Sequence, residues 1–235
     1  MARKPRHDIP PEATKSNTVA VSLTDRDHEV LTVLTLRVRA MTIQQIATVW
    51  WTDIPGAPAK RSLAEARRRL QVLARDGLVE ITALLAHPEI ELIAPLAVWQ
   101  PGLPPPDIGS VAHAAKSRWS RPHVTTEFVT ATVEAGRLMG GEGGRQPKTS
   151  EASHDMHLAA VYLRMRRELR TRSENWRSEA RVLAEQGRAS DKLPDALVRD
   201  GKCTTAIEFV GEYSAAKLAA FHEYCNHKNY GYELW

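Results

Sequence analysis

The stretch from Lys60 to Leu78, KRSLAEARRRLQVLARDGL, constrains the fold more than any other part of this chain. Ser62 and Glu65 have the spacing of a capping box and Gly77 supplies a left-handed stop, so the sequence predicts a helix from Leu63 to Asp76. At about 100° per residue, its apolar and cationic residues fall on opposite faces. The expected inward residues are Leu63, Ala66, Leu70 and Leu73, and the expected outward arginines are Arg61, Arg68 and Arg75.

Two shorter helices are predicted before this helix, and a β-hairpin after it. Thr24 and Thr42 each precede, by three positions, a residue that can complete a capping box, and each opens an apolar stripe. The hairpin is expected to pair Leu78 to Leu85 with Glu89 to Ile93. Three helices followed by a hairpin, within residues 24–100, are typical of a winged helix-turn-helix domain.

The outward face of the third helix suits the major groove of duplex DNA. Arginine can fork onto guanine there, and backbone phosphates accept the remaining donors. A solvated face is the alternative, because basic amphipathic helices are common. The net charge of +4 permits an acidic partner without requiring one. The candidate DNA-binding residues are Lys60, Arg61, Ala64, Glu65, Arg68, Gln71 and Arg75.

The composition is that of a globular chain in a reducing environment. A length of 235 residues, 43% of them hydrophobic, accommodates two cores. The two cysteines, Cys203 and Cys225, lie outside any CxxC pattern and are expected to be small buried residues. There is no long apolar run, so we expect no membrane span and a cytoplasmic location. Residues 1–23 are basic and expected to form a flexible arm.

A second domain is predicted over residues 123–235. PGLPPPD opens a Pro-rich linker with a short helix at 101–122, and the glycine-rich segment 140–150 is expected to be a mobile loop. A strand is expected over Val124 to Val133. The predicted order after that loop is helix, strand, strand, strand, helix, strand: Glu151–Arg172, Trp176–Leu183, Leu193–Val198, Thr204–Val210, Ser214–Cys225 and an edge strand Tyr230–Trp235.

That order, with Pro194-Asp195 on one strand and Glu208 on the next, resembles a PD-(D/E)xK nuclease-like domain. Together with the predicted winged helix, the chain from Thr24 to Trp235 resembles the replication-relaxation family of bacterial plasmids and other mobile elements. The resemblance implies an α+β fold, with an N-terminal winged helix-turn-helix domain and a C-terminal restriction-endonuclease-like α/β domain. It also implies Asp195 and Glu208 as ligands of Mg²⁺, with Glu179 as a third carboxylate.

One position departs from that pattern. Val210 stands two residues after Glu208, where active members of the fold place a lysine that stabilises charge on the phosphate. Lys217, on the following helix, is the candidate replacement. The resemblance is therefore compatible with two functions. One is a metal-dependent nicking nuclease or relaxase whose catalytic residues are Asp195, Glu208, Lys217 and Glu179. The other is a degenerate nuclease fold kept as a DNA-binding or dimerisation platform.

We favour the second function: a sequence-specific double-stranded DNA-binding protein linked to the replication, transfer or regulation of a mobile element. A protein-binding adaptor is a third alternative, and a homodimer is left open. No small-molecule cofactor is expected. The structural alternative for the carboxylates is that Asp195 caps a turn and Glu208 pairs with an arginine.

Two other clusters are assigned structural roles. His154, Asp155 and His157 lie near the start of the long helix, where a histidine pair could bind a metal, but no further ligands are evident and a capped surface turn is favoured. The arginines between 164 and 172 are expected to form a solvated face, with contact to a DNA backbone as the alternative.

Overall fold

The computed structural model describes residues 22–51, 59–186 and 193–235, which form a mixed α+β fold with two sheets. The helices are α1 Asp25–Leu36, α2 Ile43–Trp50, α3 Ala59–Arg75, α4 Ile108–Ser117, α5 Val133–Met139, α6 Thr149–Glu168, α7 Arg170–Glu174, α8 Glu179–Gln186 and α9 Ala215–His227. The strands are β1 Ala40–Thr42, β2 Val79–Ala86, β3 Ala97–Trp99, β4 Val124–Ala131, β5 Trp176–Ser178, β6 Ala196–Asp200, β7 Cys203–Glu208 and β8 Gly231–Leu234.

The first three helices accompany a three-stranded antiparallel sheet of order β1-β4-β2. The capping boxes at Thr24 and Thr42 are both formed, so α1 and α2 begin where the sequence predicts. In α3, Ala66, Leu70 and Leu73 are buried as expected. The helix begins at Ala59, however, before the predicted start.

The capping role assigned to Ser62 is therefore wrong. Ser62 lies inside the first turns of α3 and is buried, because the helix extends back to Ala59. The predicted end is confirmed, since Gly77 adopts a left-handed φ of 72° just after the helix.

The predicted pairing of Leu78 to Leu85 with Glu89 to Ile93 is wrong. Residues 89–93 have no regular secondary structure, and β2 instead pairs along its whole length with β4, from Val79 opposite Ala131 to Ala86 opposite Val124. Alternation of polar and apolar residues predicts a strand but not its partner. β4 buries Phe128 to Ala131, and that apolar end favours a place in this sheet.

The second sheet has the order β3-β8-β7-β6-β5, with β7 parallel to β8 and the other pairs antiparallel. The predicted linker at 101–122 does not separate the two sheets, because β3 belongs to the second sheet and the later β4 to the first. Two strand predictions also need correction. The strand at Trp176 ends at Ser178, where α8 begins, and β8 is not an edge strand because β3 lies outside it.

One apolar core extends across both sheets. It includes Leu31 and Leu70 from the helices around the first sheet, and Trp176 and Ile207 from the second. Trp176 is 0% exposed and donates its indole N–H to the carbonyl of Arg37 at 2.9 Å, while the Arg37 guanidinium donates to the carbonyl of Trp176. These reciprocal hydrogen bonds tie α1 to the second sheet.

The segment 140–150, predicted to be a mobile loop, is held by backbone hydrogen bonds, and its last two residues belong to α6. The Glu142 N–H donates to the carbonyl of Thr35, and the Gly144 N–H donates to that of Ala131, both at 2.8 Å. A Cβ on Gly141 would lie 2.5 Å from the Thr35 oxygen. Glycine is therefore needed here for close approach to α1.

The N-terminal arm, the cysteines and the helices were also subjects of the sequence predictions. Most of the predicted basic arm, residues 1–21, lies outside the described residues. Cys225 is buried as expected, but Cys203 is exposed because it begins β7 beside a turn at 201–202. In the described ranges, none of the helices combines the length and the apolar character needed to cross a membrane.

Candidate functional site

A cavity of about 730 Å³ lies between α1, α6 and the ends of β6 and β7. Three of the four predicted catalytic residues, Glu179, Asp195 and Lys217, line it. The fourth, Glu208, lies behind Asp195 and is 1% exposed. The structure thus brings the four predicted side chains to one region, although Glu179 lies at the start of α8 and not on a strand.

Strand register places Asp195 beside Glu208. In the antiparallel pair of β6 and β7, Ala196 faces Ile207, so the residue before one strand meets the last residue of the other. The Asp195 N–H donates to Glu208 Oε2 at 3.1 Å, and the Phe209 N–H donates to Asp195 Oδ2 at 2.8 Å. Each carboxylate therefore accepts a hydrogen bond from the backbone of the other strand.

His154 on α6 faces the same carboxylate. Its Nε2 lies 3.0 Å from Asp195 Oδ2, and its Nδ1 lies 3.8 Å from an oxygen of Asp155. Burial alone would lower the pKa of His154, but Asp195 and Asp155 outweigh it and raise that pKa to about 10. His154 is thus an imidazolium at neutral pH and forms a charge-assisted pair with Asp195.

The capped surface turn predicted for this cluster is wrong. Asp155 and His157 are both buried. Burial lowers the pKa of His157 to about 4, so its ring is neutral. The ring Nδ1–H donates to the carbonyl of Ser153, and Nε2 accepts from the Ile90 N–H. Helical spacing could have placed His154 on the inward face of α6, because it lies four residues before Leu158, which packs against the core.

Tyr213 and Lys217 complete this wall of the cavity. The Tyr213 hydroxyl donates to Glu208 Oε1 at 2.7 Å, and the Lys217 Nζ lies 3.0 Å from the centroid of the Tyr213 ring. Burial, followed by the charges of Glu208 and Asp195, raises the pKa of Tyr213 above its usual value, so the phenol stays a neutral donor. Val210, at the lysine position of the motif, is fully buried.

Three of the four carboxylate oxygens of Asp195 and Glu208 already accept hydrogen bonds, so the expected Mg²⁺ would have to compete for them. A divalent cation needs oxygen lone pairs that are not facing donor hydrogens. Asp195 Oδ2 accepts from both His154 and the Phe209 N–H, and the two oxygens of Glu208 accept from the Asp195 N–H and from Tyr213. Across residues 22–51, 59–186 and 193–235, no group of three His, Cys, Asp or Glu side chains is arranged to hold a metal ion.

The second candidate site is the outer face of α3. The side chains of Ala64, Arg68, Gln71 and Arg75 are exposed, and that of Arg68 is 76% exposed. Arg68 pairs with Glu65 one turn earlier at 2.7 Å, so this pair stays on the helix surface. Lys60 and Arg61 belong to the helix, but their side chains lie outside the described part of the chain.

The neighbouring arginines of α3 form ion pairs with residues of α1 and β4. Arg69 pairs with Asp27, which is 1% exposed, at 2.5 Å, and Arg67 pairs with Glu127 of β4. Burial would raise the pKa of Asp27, but hydrogen bonds from Arg69 and Thr24 outweigh it and hold that pKa below its usual value. Of the three consecutive arginines, Arg67 and Arg69 thus pair with other elements of the fold, and Arg68 projects into solvent.

A groove of about 440 Å³ beside the outer face of α3 adds a residue that the sequence did not single out. Arg26 of α1 lines it together with Arg68 and Arg75. Its guanidinium lies 4.7 Å from the centroid of the Trp51 ring, which holds it in place. Only the tertiary structure brings Arg26 to this face, where the next residue, Asp27, pairs with Arg69 of α3.

The arginines of α6 and α7 pair with acidic residues of the same chain. Arg166, which also lies over Trp50, pairs with Glu29, and Arg172 pairs with Asp200 and Glu233. The remaining pairs are Arg164 and Arg167 with Glu168, and Arg170 with Glu174. Arg166 and Arg172 are 21% exposed and pair with other elements of the fold, whereas Arg167 and Arg170 are 75% and 72% exposed and belong to the expected solvated face.

No protein-family model matches this sequence, and the searches of curated proteins and of solved structures found no match.

Proposed function

We propose that this protein binds double-stranded DNA through α3, with a winged helix as the binding unit. The observation that carries the proposal is the division of α3 into two faces. Leu70 and Leu73 anchor one face in the core, while Arg68, Gln71 and Arg75 project from the other. A rigid helix with outward arginine and amide side chains is what major-groove contact requires.

The arrangement around α3 supports this proposal. Helices α1 and α2 precede it, and the antiparallel pair of β2 and β4 follows it, with β1 completing the sheet. A winged helix has this sequence of elements. In this chain the hairpin opens into residues 87–123, which carry β3 and α4.

The hairpin itself is better suited to packing than to phosphate contact. It carries Glu80 and Glu127, which phosphates would repel, and α6 packs against β2. Phosphate contacts are instead assigned to Arg26 and Arg75, which flank the exposed row of α3 in the adjoining groove.

We propose further that the second sheet is a nuclease-like fold that has lost its metal chemistry. The series α6, β5, β6, β7, α9 and β8 supports the expected nuclease-like order, with α8 inserted after β5. Three features favour loss of function: buried Val210 at the lysine position, His154 against Asp195, and Tyr213 against Glu208. A role in a mobile element rests on the sequence resemblance alone.

Arg68→Ala tests the binding face against a matched control. Arg137→Ala removes an arginine that is 75% exposed, close to the 76% of Arg68, and that also pairs with a glutamate three residues before it. Arg137 lies on α5, which packs against α1, and is not part of α3. Fluorescence anisotropy with labelled duplex should show a loss of about 1 to 3 kcal/mol for Arg68→Ala if it contacts a base.

The control variant should bind duplex DNA like the wild type. Affinity for random duplex should also fall steeply as salt rises, because phosphate contacts release counterions. Equal binding by the two variants, or a flat salt dependence, would contradict the proposal and favour a protein-binding adaptor.

An active nuclease is the second candidate, and the convergence of Glu179, Asp195 and Lys217 on one cavity favours it. Supercoiled plasmid incubated with protein and Mn²⁺ distinguishes it from the degenerate fold. Nicking that disappears in Asp195→Asn would establish activity. The proposed degenerate site predicts no nicking above that of the variant.

A further inference from the structure

We propose that the side chain of His154 closes the Asp195 carboxylate to divalent cations by occupying the position from which a metal would bind it. The inference rests on the proposed nuclease-like assignment of the second sheet, and it names how that site is shut. His154 lies on α6, and this helix brings the ring nitrogen to Asp195, which the sequence predicts as a metal ligand.

The position of His154 is fixed by contacts that Arg39 makes with neighbouring residues of α6. Asp155, the next residue, receives both a 2.8 Å and a 2.7 Å hydrogen bond from Arg39, and the same guanidinium pairs with Glu151 at 2.8 Å. Arg39 lies between α1 and β1, so this clamp joins the first sheet to α6. The ring of Phe209 packs edge-on to His154, with ring centroids 5.8 Å apart.

The two donors on Asp195 Oδ2 explain why the His154 contact competes with a cation. Asp195 Oδ2 has His154 Nε2 at 3.0 Å on one side and the Phe209 N–H at 2.8 Å on the other. A metal bound to that oxygen from the side of α6 would compete with the His154 ring, which contacts the oxygen from that side. Removing the imidazole would leave the oxygen facing the cavity that Glu179 also lines.

Mn²⁺ binding to the full chain, measured without DNA, tests the inference. The free Mn²⁺ signal in electron paramagnetic resonance gives the dissociation constant for wild type, His154→Ala and the double variant His154→Ala with Asp195→Asn. Removing the donor that contacts Asp195 Oδ2 should tighten Mn²⁺ binding by about tenfold or more. The double variant should lose that gain, which would locate the metal at Asp195.

His154→Gln provides the conservative comparison, because its amide can still donate to Asp195, and it should stay near the wild-type affinity. Far-UV circular dichroism checks folding. Should His154→Ala fail to fold, His154→Ser replaces it, since the serine hydroxyl is too short to reach Asp195.

Three results would overturn the inference. Equal affinity in wild type and His154→Ala would show that the ring does not compete with metal. Weaker binding in His154→Ala would make His154 a metal ligand, and a gain that survives Asp195→Asn would place the metal elsewhere. Since the assay contains no DNA, its outcome is separate from that of the duplex-binding experiment.

Discussion

The first sheet with its three helices and the second sheet place their charged residues differently. On α3, Arg68 and Arg75 extend into solvent beside Arg26. In the second sheet, Asp195 and Glu208 accept hydrogen bonds from the backbone and from His154 and Tyr213. The charged side chains of the candidate site on α3 therefore face outward, and those of the candidate site in the second sheet face inward.

The difference shows what a charged cluster in a sequence means physically. A charge that is exposed and paired only with a neighbour on its own helix can exchange that partner for a ligand at small cost. A buried charge with several donors cannot, because separating it from them leaves an uncompensated ion in the interior. The surface of α3 is thus open to a partner, and the carboxylates are part of the fold.

Trp176→Ala tests whether these two regions are independent units. Trp176 is fully buried in the shared core and bonds the carbonyl of Arg37. Its truncation should lower the free energy of unfolding by about 3 to 5 kcal/mol, as for other buried tryptophans. Urea unfolding followed by circular dichroism and by fluorescence should show one shared transition.

Two separate transitions in the wild type would show that the regions unfold independently. A loss below about 1 kcal/mol for Trp176→Ala would likewise contradict the shared core.

The second prediction distinguishes the two kinds of arginine on α3 itself. Arg69→Ala leaves the buried Asp27 without its cation and should cost about 3 kcal/mol. Arg67→Ala breaks a pair with Glu127 in which both side chains are partly exposed, and should cost about 1 kcal/mol or less. Chemical denaturation at neutral pH gives both values, and equal losses would contradict the distinction.

The same pair predicts a dependence on pH. The folded pKa of Asp27 lies below the ordinary value of 3.8, so the carboxylate contributes stability above that value and loses it as pH falls through the folded pKa. The gap in unfolding free energy between wild type and Arg69→Ala should therefore be largest near neutral pH and narrow under acid conditions. A gap that does not change with pH would exclude Asp27 as its source.

The smallest expected effect concerns the loop between α5 and α6. Gly141→Ala would place a methyl group 2.5 Å from the Thr35 carbonyl and should cost about 1 to 3 kcal/mol. Gly211→Ala is the control, since a methyl group there would meet nothing within 4 Å and about 0.5 kcal/mol or less is expected. Thermal unfolding compares the stability of the two variants. An unchanged stability in Gly141→Ala would support the predicted mobile loop.

Local capping patterns predicted where three of the helices begin. Thr24 and Thr42 form the expected capping boxes, and Ser214 caps α9. These features need only residues three or four positions apart, whose geometry the helix itself dictates. Glycines were harder to interpret, because Gly141 and its neighbours have the composition of a disordered loop whether or not another segment packs against them.

The sequence by itself determined where α1, α2 and α9 begin, which face of α3 is apolar, and that Asp195 and Glu208 lie at the ends of successive strands. Only the tertiary structure decided that β2 pairs with β4, that Arg26 joins the face of α3, and that His154 meets Asp195. Helix periodicity and caps act over a few residues, whereas strand partners and buried charge pairs depend on which distant segments bury the most apolar surface together.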